Sequence, residues 1–362
     1  MRVLIIFNHP APYKVCAFNE LAKYVDLTVL FERTKAKDRP DSFYVANEYK
    51  FNTIFLKDGY VGNEGTISNN VRKFIKEHHQ EYDVIIMNGY SHLAEIKAIR
   101  YMSSHNIKFG LLINGGLIKK ETSLKKKIKT SLIKKASYYL SPSRVADDYL
   151  IYYGANKEKI YPYLYSNYSI EEIIKEPIKN KDSIREEYGL PLNKKIFINA
   201  SQFIERKNNL ELISLFRNRD DVLLLIGSGV ELNKYQQYIS AHKMNNVIIK
   251  DYMKKDELFK VLRVCDVYIT LSKEDIFGHT TLEAFCNGLP VISSNKVISS
   301  LEYIKDGYNG YIVDNSNAQD ILEKMDKIDY SYSSNAINSA KNNTYESSAK
   351  SIYQILEKVY EK

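Results

Sequence analysis

Tryptophan is absent from this sequence, and cysteine and proline are scarce. The missing tryptophan goes with an abundance of lysine, asparagine, isoleucine and tyrosine, a bias from which no function follows. Cys16, Cys265 and Cys286 are odd in number, far apart and without metal-ligand spacing. That argues against a disulfide framework and fits a reduced, cytoplasmic setting. No apolar stretch approaches the roughly 18–20 residues that a membrane-spanning helix needs. The run Val3 to Phe7 is too short for the core of a signal peptide, and Asn-His-Pro follows at once. Zinc-finger spacing and an aromatic-studded basic signature are both missing, so no nucleic-acid partner is expected. Neither an Asp-x-Asp triplet nor a His/Cys/Asp cluster occurs, so no metal and no cofactor is expected.

What is present is enough for two domains. The chain has 362 residues, 44% of them hydrophobic and 27% charged, an ordinary mixture for a globular protein. Its net charge of +8 calls for an anionic partner, and the distribution matters more than the total. The densest basic segment runs from Leu117 to Ala136. Leu124, Ile128 and Leu132 share one helical stripe there, and Lys125, Lys126, Lys127, Lys129 and Lys134 occupy the rest of the circumference. Two readings stand side by side. One is a solvated outer helix; the other is a peripheral contact with anionic lipid at the inner face of the cell membrane.

Short apolar runs alternate with amphipathic ones along the whole chain. RVLIIF, VDLTVLF, FNTIFL, DVIIMN and IKFGLLI are of strand length and nearly continuous in apolar character, as parallel strands buried on both faces require. VRKFIKEHH and LAEIKAIRYMSSH between them have helical spacing. The rhythm restarts with KKIFINA, DVLLLIG, NVIIK, CDVYITL, LPVISS and NGYIVD, with helices expected from near Asn208, Glu231, Lys255 and Thr280. The stretch 166–195 is polar and broken by Pro177 and Pro191, and reads as a connection. These observations predict an α/β chain of two Rossmann-like, doubly wound parallel-sheet domains facing a cleft. The first spans 1–165 and the second 166–345, with a linker over about 166–192. A final helix, 346–362, is expected to cross back to the first domain. Chemistry is expected in the loops that follow strands.

One such loop stands out. CDVYITL ends near Ser272, and TTLEAFCNG begins a helix that stops at Gly288. Between them lies SKEDIFG. Gly278 lets the backbone approach a ligand, and the amides of Gly278, His279, Thr280 and Thr281 then form a helix N-terminus suited to phosphate. Asp275 and Glu283 flank that position, where two carboxylates can grip the hydroxyls of a sugar nucleotide.

Asp275, seven residues, Glu283, and then Gly288-Leu289-Pro290-Val291 resemble the Glu–seven residues–Glu signature of the family 4 retaining glycosyltransferases, which have the GT-B fold. FINASQFIERKNNLELI, LLLIGSGVE and LEYIKDGYNGYIVD resemble further stretches of that family's second domain. LSPSRVADDYLIYYGANKEKIYPY resembles the end of its first domain. The resemblance implies that Arg206 and Lys207 neutralise the donor diphosphate. It implies that Glu283 holds the ribose, that Asp275 contacts the donor sugar, that Gly227 in the Gly-x-Gly turn helps to bind the donor and that Tyr252 lies near the base. Two positions depart from the pattern. The first acid is Asp275, one methylene short, with Glu274 beside it, so the sugar contact falls to either. The usual Gly-Arg reads Ser201-Gln202, which removes one positive charge. In the first domain FNHPAPYK, MNGYSHL and INGGL follow strands; His92 is a candidate to orient donor or acceptor, and otherwise a capping residue.

The resemblance implies a retaining transfer from a nucleotide-sugar donor, with UDP the expected nucleotide, to a hydroxyl of a glycan or lipid-linked acceptor in capsule, exopolysaccharide or O-antigen assembly. Two alternatives remain. One is a non-catalytic sugar-nucleotide-binding subunit of a larger complex, suggested by Ser201-Gln202 and Asp275. The other is a GT-B sugar-nucleotide epimerase.

Overall fold

The computed structural model describes residues 1–36, 43–44, 48–56 and 70–361. The chain forms two compact units: Met1–Asn167 together with Asn343–Lys362, and Tyr168–Asn342.

The first unit runs β1 (Arg2–Phe7), α1 (Pro12–Leu21), β2 (Asp26–Phe31), β3 (Asn52–Phe55), α2 (Asn70–His78), β4 (Val84–Asn88), α3 (Leu93–Ser104), β5 (Gly110–Leu112), α4 (Ser123–Ile133), β6 (Tyr138–Ser141), α5 (Arg144–Tyr152) and β7 (Ile160–Pro162). The seven strands form one sheet in the order β3-β2-β1-β4-β5-β6-β7, and every neighbouring pair is parallel. Strands covered on both faces must be apolar at every position, and β1 shows it: Val3 to Phe7 are all buried. Leu4, Ile6, Ile85, Met87 and Leu111 join Val71, Ile99, Met102 and Leu150 from the helices in one core.

The second unit runs α6 (Asp182–Glu187), β8 (Ile196–Ala200), α7 (Asn209–Ser214), β9 (Val222–Ile226), α8 (Leu232–Ala241), β10 (Val247–Lys250), α9 (Lys255–Val264), β11 (Val267–Thr270), α10 (Thr280–Cys286), β12 (Val291–Ser294), α11 (Ile298–Tyr303), β13 (Gly310–Val313), α12 (Ala318–Lys327) and α13 (Ser333–Ala340). Its sheet has the order β10-β9-β8-β11-β12-β13, again parallel throughout. Both sheets are doubly wound, as the strand rhythm predicts. The stretch read as a connection is built into this unit. Lys181 and Arg185 are buried and grip the two oxygens of Asp266 at 2.7 Å and 2.8 Å.

The last helix, α14 (Tyr345–Tyr360), buries Tyr345, Ala349, Ile352, Ile355 and Leu356 along one face. It lies in the first unit against α1, with Tyr353 stacked on Tyr24. Thr344 caps its start by accepting the Ser347 amide.

Each strand order fixes a switch point where the winding reverses: between β1 and β4 in the first sheet, and between β8 and β11 in the second. Loops leaving the carboxyl ends of such strand pairs diverge to opposite faces and leave a crevice between them.

Candidate functional site

Arg206, Lys207, Asp275 and the turn from Gly278 to Glu283 follow β8 and β11, the two strands at the switch point of the second sheet, whereas Gly227 and Tyr252 follow β9 and β10. The loop after β8 makes a tight turn over Glu205–Lys207 and enters α7 through Asn208, whose φ of 57° is left-handed. The loop after β11 lies beside it. Lys273 N donates to the Arg206 carbonyl at 2.8 Å, and Arg206 Nη1 donates to the Glu274 carbonyl at 3.2 Å. The Lys207 ammonium donates to Asp275 Oδ2, with both side chains largely shielded from solvent. Asp275 thus turns its carboxylate toward the loop that follows β8. The pair places a fixed cation and an acid side by side, and little water is left to screen them.

The second loop is bolted down at several points. Asp275 N donates to the Lys296 carbonyl at 2.9 Å, Ser294 Oγ to the Ser272 carbonyl at 2.6 Å and Ser299 Oγ to the Gly278 carbonyl at 2.6 Å. Gly278 has a φ of 84°, and a Cβ there would meet Val297 Cγ1 at 2.5 Å. Only glycine tolerates both the conformation and the contact. Glu283 follows in the first turn of α10 and is half-buried. Beneath the loops Tyr268 is fully buried; its phenol is pushed well above the ordinary range, first by burial and then by the charges of Glu283 and Asp275.

Two expectations need correction. Thr281 does not face a ligand: its side chain is buried against Ser300 Oγ at 2.9 Å, and its amide bonds the Gly278 carbonyl at 3.2 Å. Helical winding turns this position inward. Among the described residues the amides of Gly278 and Thr280 have no acceptor, and His279 stands between them against Phe277. Gly227 is also not a free donor. Its amide bonds the Lys250 carbonyl at 3.0 Å, and a Cβ there would lie 2.0 Å from the Ser201 carbonyl. Its function is to let the loop after β8 lie flat on the turn after β9. Ser201, in the glycine's place, is a brace: its hydroxyl donates to Asn199 Oδ1 at 2.7 Å and accepts from Asn209 Nδ2 at 3.1 Å. Gln202 beside it is half-buried, and Tyr252, after β10, is half exposed.

Sequence reasoning missed these braces. Asn199 is completely buried and its Nδ2 donates to the Ile269 carbonyl at 2.7 Å, which ties β8 to β11 at the switch point. An asparagine inside an otherwise apolar strand was the available signal, because a buried amide needs partners.

At the switch point of the first sheet the loop after β4 leads into α3. His92 precedes the helix, and its amide and that of Ser91 donate to Glu95 Oε2 at 3.0 Å and 2.6 Å. The His92 ring lies 3.5 Å from Glu95, so capping geometry accounts for its position. Oxygens of Glu32 and Glu95 and a ring nitrogen of His92 lie within 4.8 Å of one another, a donor set able to hold a cation. Lys14, in the first turn of α1, is buried; its ammonium donates to Asn114 Oδ1 at 2.8 Å and lies 4.0 Å from the Tyr165 ring. Burial pushes its pKa down to about 7.

Residues 180–346 match the family model described as Glycosyl transferases group 1. The chain is 29% identical over 139 residues to the N-acetyl-alpha-D-glucosaminyl L-malate synthase of Bacillus anthracis, a match covering 37% of this chain and 36% of that protein. It is 31% identical over 134 residues to the GtfA subunit of the UDP-N-acetylglucosamine–peptide N-acetylglucosaminyltransferase of Streptococcus pneumoniae, covering 37% and 25%. The matched region thus spans about a third or less of these relatives' length. Among solved structures, Anabaena Alr3699/HepE in complex with UDP superposes with a TM-score of 0.78 over 99% of this chain and 100% of the other, at 17% identity. That likeness is one of fold: two Rossmann-like parallel-sheet units of the GT-B type.

Proposed function

Residues 180–346 match the model of the group 1 glycosyl transferases, and from that match we propose that the chain is a retaining glycosyltransferase. It takes a nucleotide-sugar donor, a UDP-sugar, and transfers the sugar to a hydroxyl of a glycan or lipid-linked acceptor in the synthesis of a surface polysaccharide. The observation that carries this reading is the convergence of Arg206, Lys207 and Asp275 at one switch point, where Arg206 bonds the Glu274 carbonyl and Lys207 bonds Asp275.

The roles follow from charge and reach. The donor diphosphate lies over Arg206 and Lys207, which stabilise the negative charge that grows on the leaving phosphate. Arg206 offers a planar fork and Lys207 a point charge. The amides of Gly278 and Thr280 add two neutral donors on the far side. Asp275 accepts from hydroxyls of the transferred sugar, and Glu283 from the ribose. Tyr252 offers a ring to the base. The anomeric C–O bond to phosphate breaks as the acceptor oxygen bonds to the same face. The acceptor proton passes to the departing phosphate oxygen. Two side-chain cations do the work of a divalent ion, and the reaction is metal-independent. No described helix is long and apolar enough to cross a membrane. The lysines of α4 bring the enzyme to an anionic lipid surface instead.

The test is a thermal-shift panel of nucleotide sugars against the purified chain. UDP-sugars at about a hundredfold excess over Kd should add roughly 3 kcal/mol of apparent stability, and Arg206→Ala with Lys207→Met should abolish the shift. A panel without effect, or a shift indifferent to both substitutions, rejects the reading.

A further inference from the structure

Helix α4 is poorly covered for an outer helix of a parallel sheet. Leu132 and Ile133 are buried, but Leu124 is 69% exposed and Ile128 42% exposed. Both side chains line a cavity of about 580 Å³ in the first unit, together with Ile96, Leu132, Tyr90 and Tyr149. Its volume is that of a small-molecule site.

The floor of this groove asks for nothing polar. The hydroxyls of Tyr90 and Tyr149 bond each other, which leaves their rings to face a ligand. Tyr149 is fixed by Gly116, where a Cβ would lie 2.7 Å from its ring. The Lys129 charge is met by Glu121 at 3.0 Å, and Glu121 also accepts from Tyr153. The rim is different. Lys125 lines the groove and is exposed. At its other end the groove reaches Tyr90 and Ser91 in the loop after β4, immediately before His92.

We propose that this groove binds the hydrocarbon chain of a phosphate-bearing, lipid-linked acceptor. The chain lies along Leu124, Ile128 and Leu132, its phosphate meets Lys125 at the rim, and its sugar end points to the Tyr90–His92 loop. This rests on the glycosyltransferase reading. Three features select the occupant. The lining is apolar and concave, which suits a single chain better than a flat headgroup layer. The rim carries the exposed Lys125 ammonium, which suits a phosphate. The groove is continuous with a strand-end loop at the switch point, where a reacting hydroxyl is wanted.

The absence of tryptophan provides the assay. Leu124→Trp places a sole indole at the exposed wall, where it does not disturb the core. Monomeric farnesyl phosphate should shift its emission to the blue in a saturable titration. Ile128→Glu in the same background should weaken the titration at least tenfold, and inorganic phosphate should give no response. A response to phosphatidylglycerol vesicles but not to farnesyl phosphate overturns the proposal in favour of surface contact. Silence toward both overturns it outright. UDP-induced thermal stabilisation of the same protein reports the glycosyltransferase reading separately: its absence with farnesyl phosphate binding intact sinks that reading and leaves a lipid-phosphate groove.

Discussion

Replacing Asp275 with Asn separates the two roles that the Lys207–Asp275 pair plays. In the unliganded protein the Lys207 ammonium is bonded to Asp275, with side-chain exposures of 12% and 17%. A diphosphate arriving at Lys207 must share that ammonium with a carboxylate, and the carboxylate also repels it. Asp275→Asn keeps the shape and removes the charge. Binding of UDP alone should therefore tighten or stay level. The sugar of a UDP-sugar loses a charged acceptor for its hydroxyls, worth about 1.5–3 kcal/mol. The advantage of UDP-sugar over UDP should fall by roughly ten- to a hundredfold. Lys207→Met does the opposite: it weakens UDP and UDP-sugar together, by a similar factor. It also leaves Asp275 shielded without its cation, so folding stability should drop by about 1–3 kcal/mol. Calorimetric titration of both ligands against both variants, with urea unfolding alongside, measures every term. If Asp275→Asn weakens UDP as much as UDP-sugar, the acid does not face the sugar and the reasoning fails.

Two further outcomes follow from local geometry. Gly278→Ala should cost about 1–3 kcal/mol through its positive φ and should abolish UDP binding, because the Val297 side chain blocks the site of the Cβ. Gly307→Ala, at a φ of 74° with nothing within 4 Å, should cost stability alone and leave UDP binding intact in the same titration. Lys14→Met should stabilise the protein in a pH-dependent way. The fall of the Lys14 pKa from 10.5 to about 7 corresponds to roughly 5 kcal/mol as an upper bound. Between these values the unfolded chain binds the proton more tightly, so wild-type stability gains from rising pH. The variant's advantage should be greatest below pH 7 and shrink toward pH 10.5. A urea-midpoint difference that is flat across that window would contradict the assigned cause.

Much of the fold was legible because buried parallel strands leave a strong mark. RVLIIF and DVLLLIG are apolar at successive positions, and nothing but a strand covered on both faces uses such a run so briefly. The strands β6 and β7, YYLS and IYP, are short and tyrosine-rich, and the sequence does not separate them from their loops. In the site, Arg206, Lys207 and Asp275 stood out because charged residues at strand ends are chemically specific. The parts that hold them did not. Asn199, Ser201, Asn209, Ser294 and Ser299 are small polar residues with no periodic signal, and their value comes from partners distant in sequence. Thr281 and Gly227 were assigned to ligand because motif position says nothing about which way an amide turns. Lys14 was invisible for a similar reason: its burial depends on Asn114 and Tyr165, far along the chain.

The central claim is that Arg206 and Lys207 carry the charge of a departing nucleoside diphosphate. The direct measurement is the rate of UDP release from a panel of UDP-sugars by the purified chain, compared with the Arg206→Ala, Lys207→Met double variant. The account predicts measurable release by the wild type with at least one sugar, and a fall of a hundredfold or more in the double variant. Equal rates from the two proteins would contradict it.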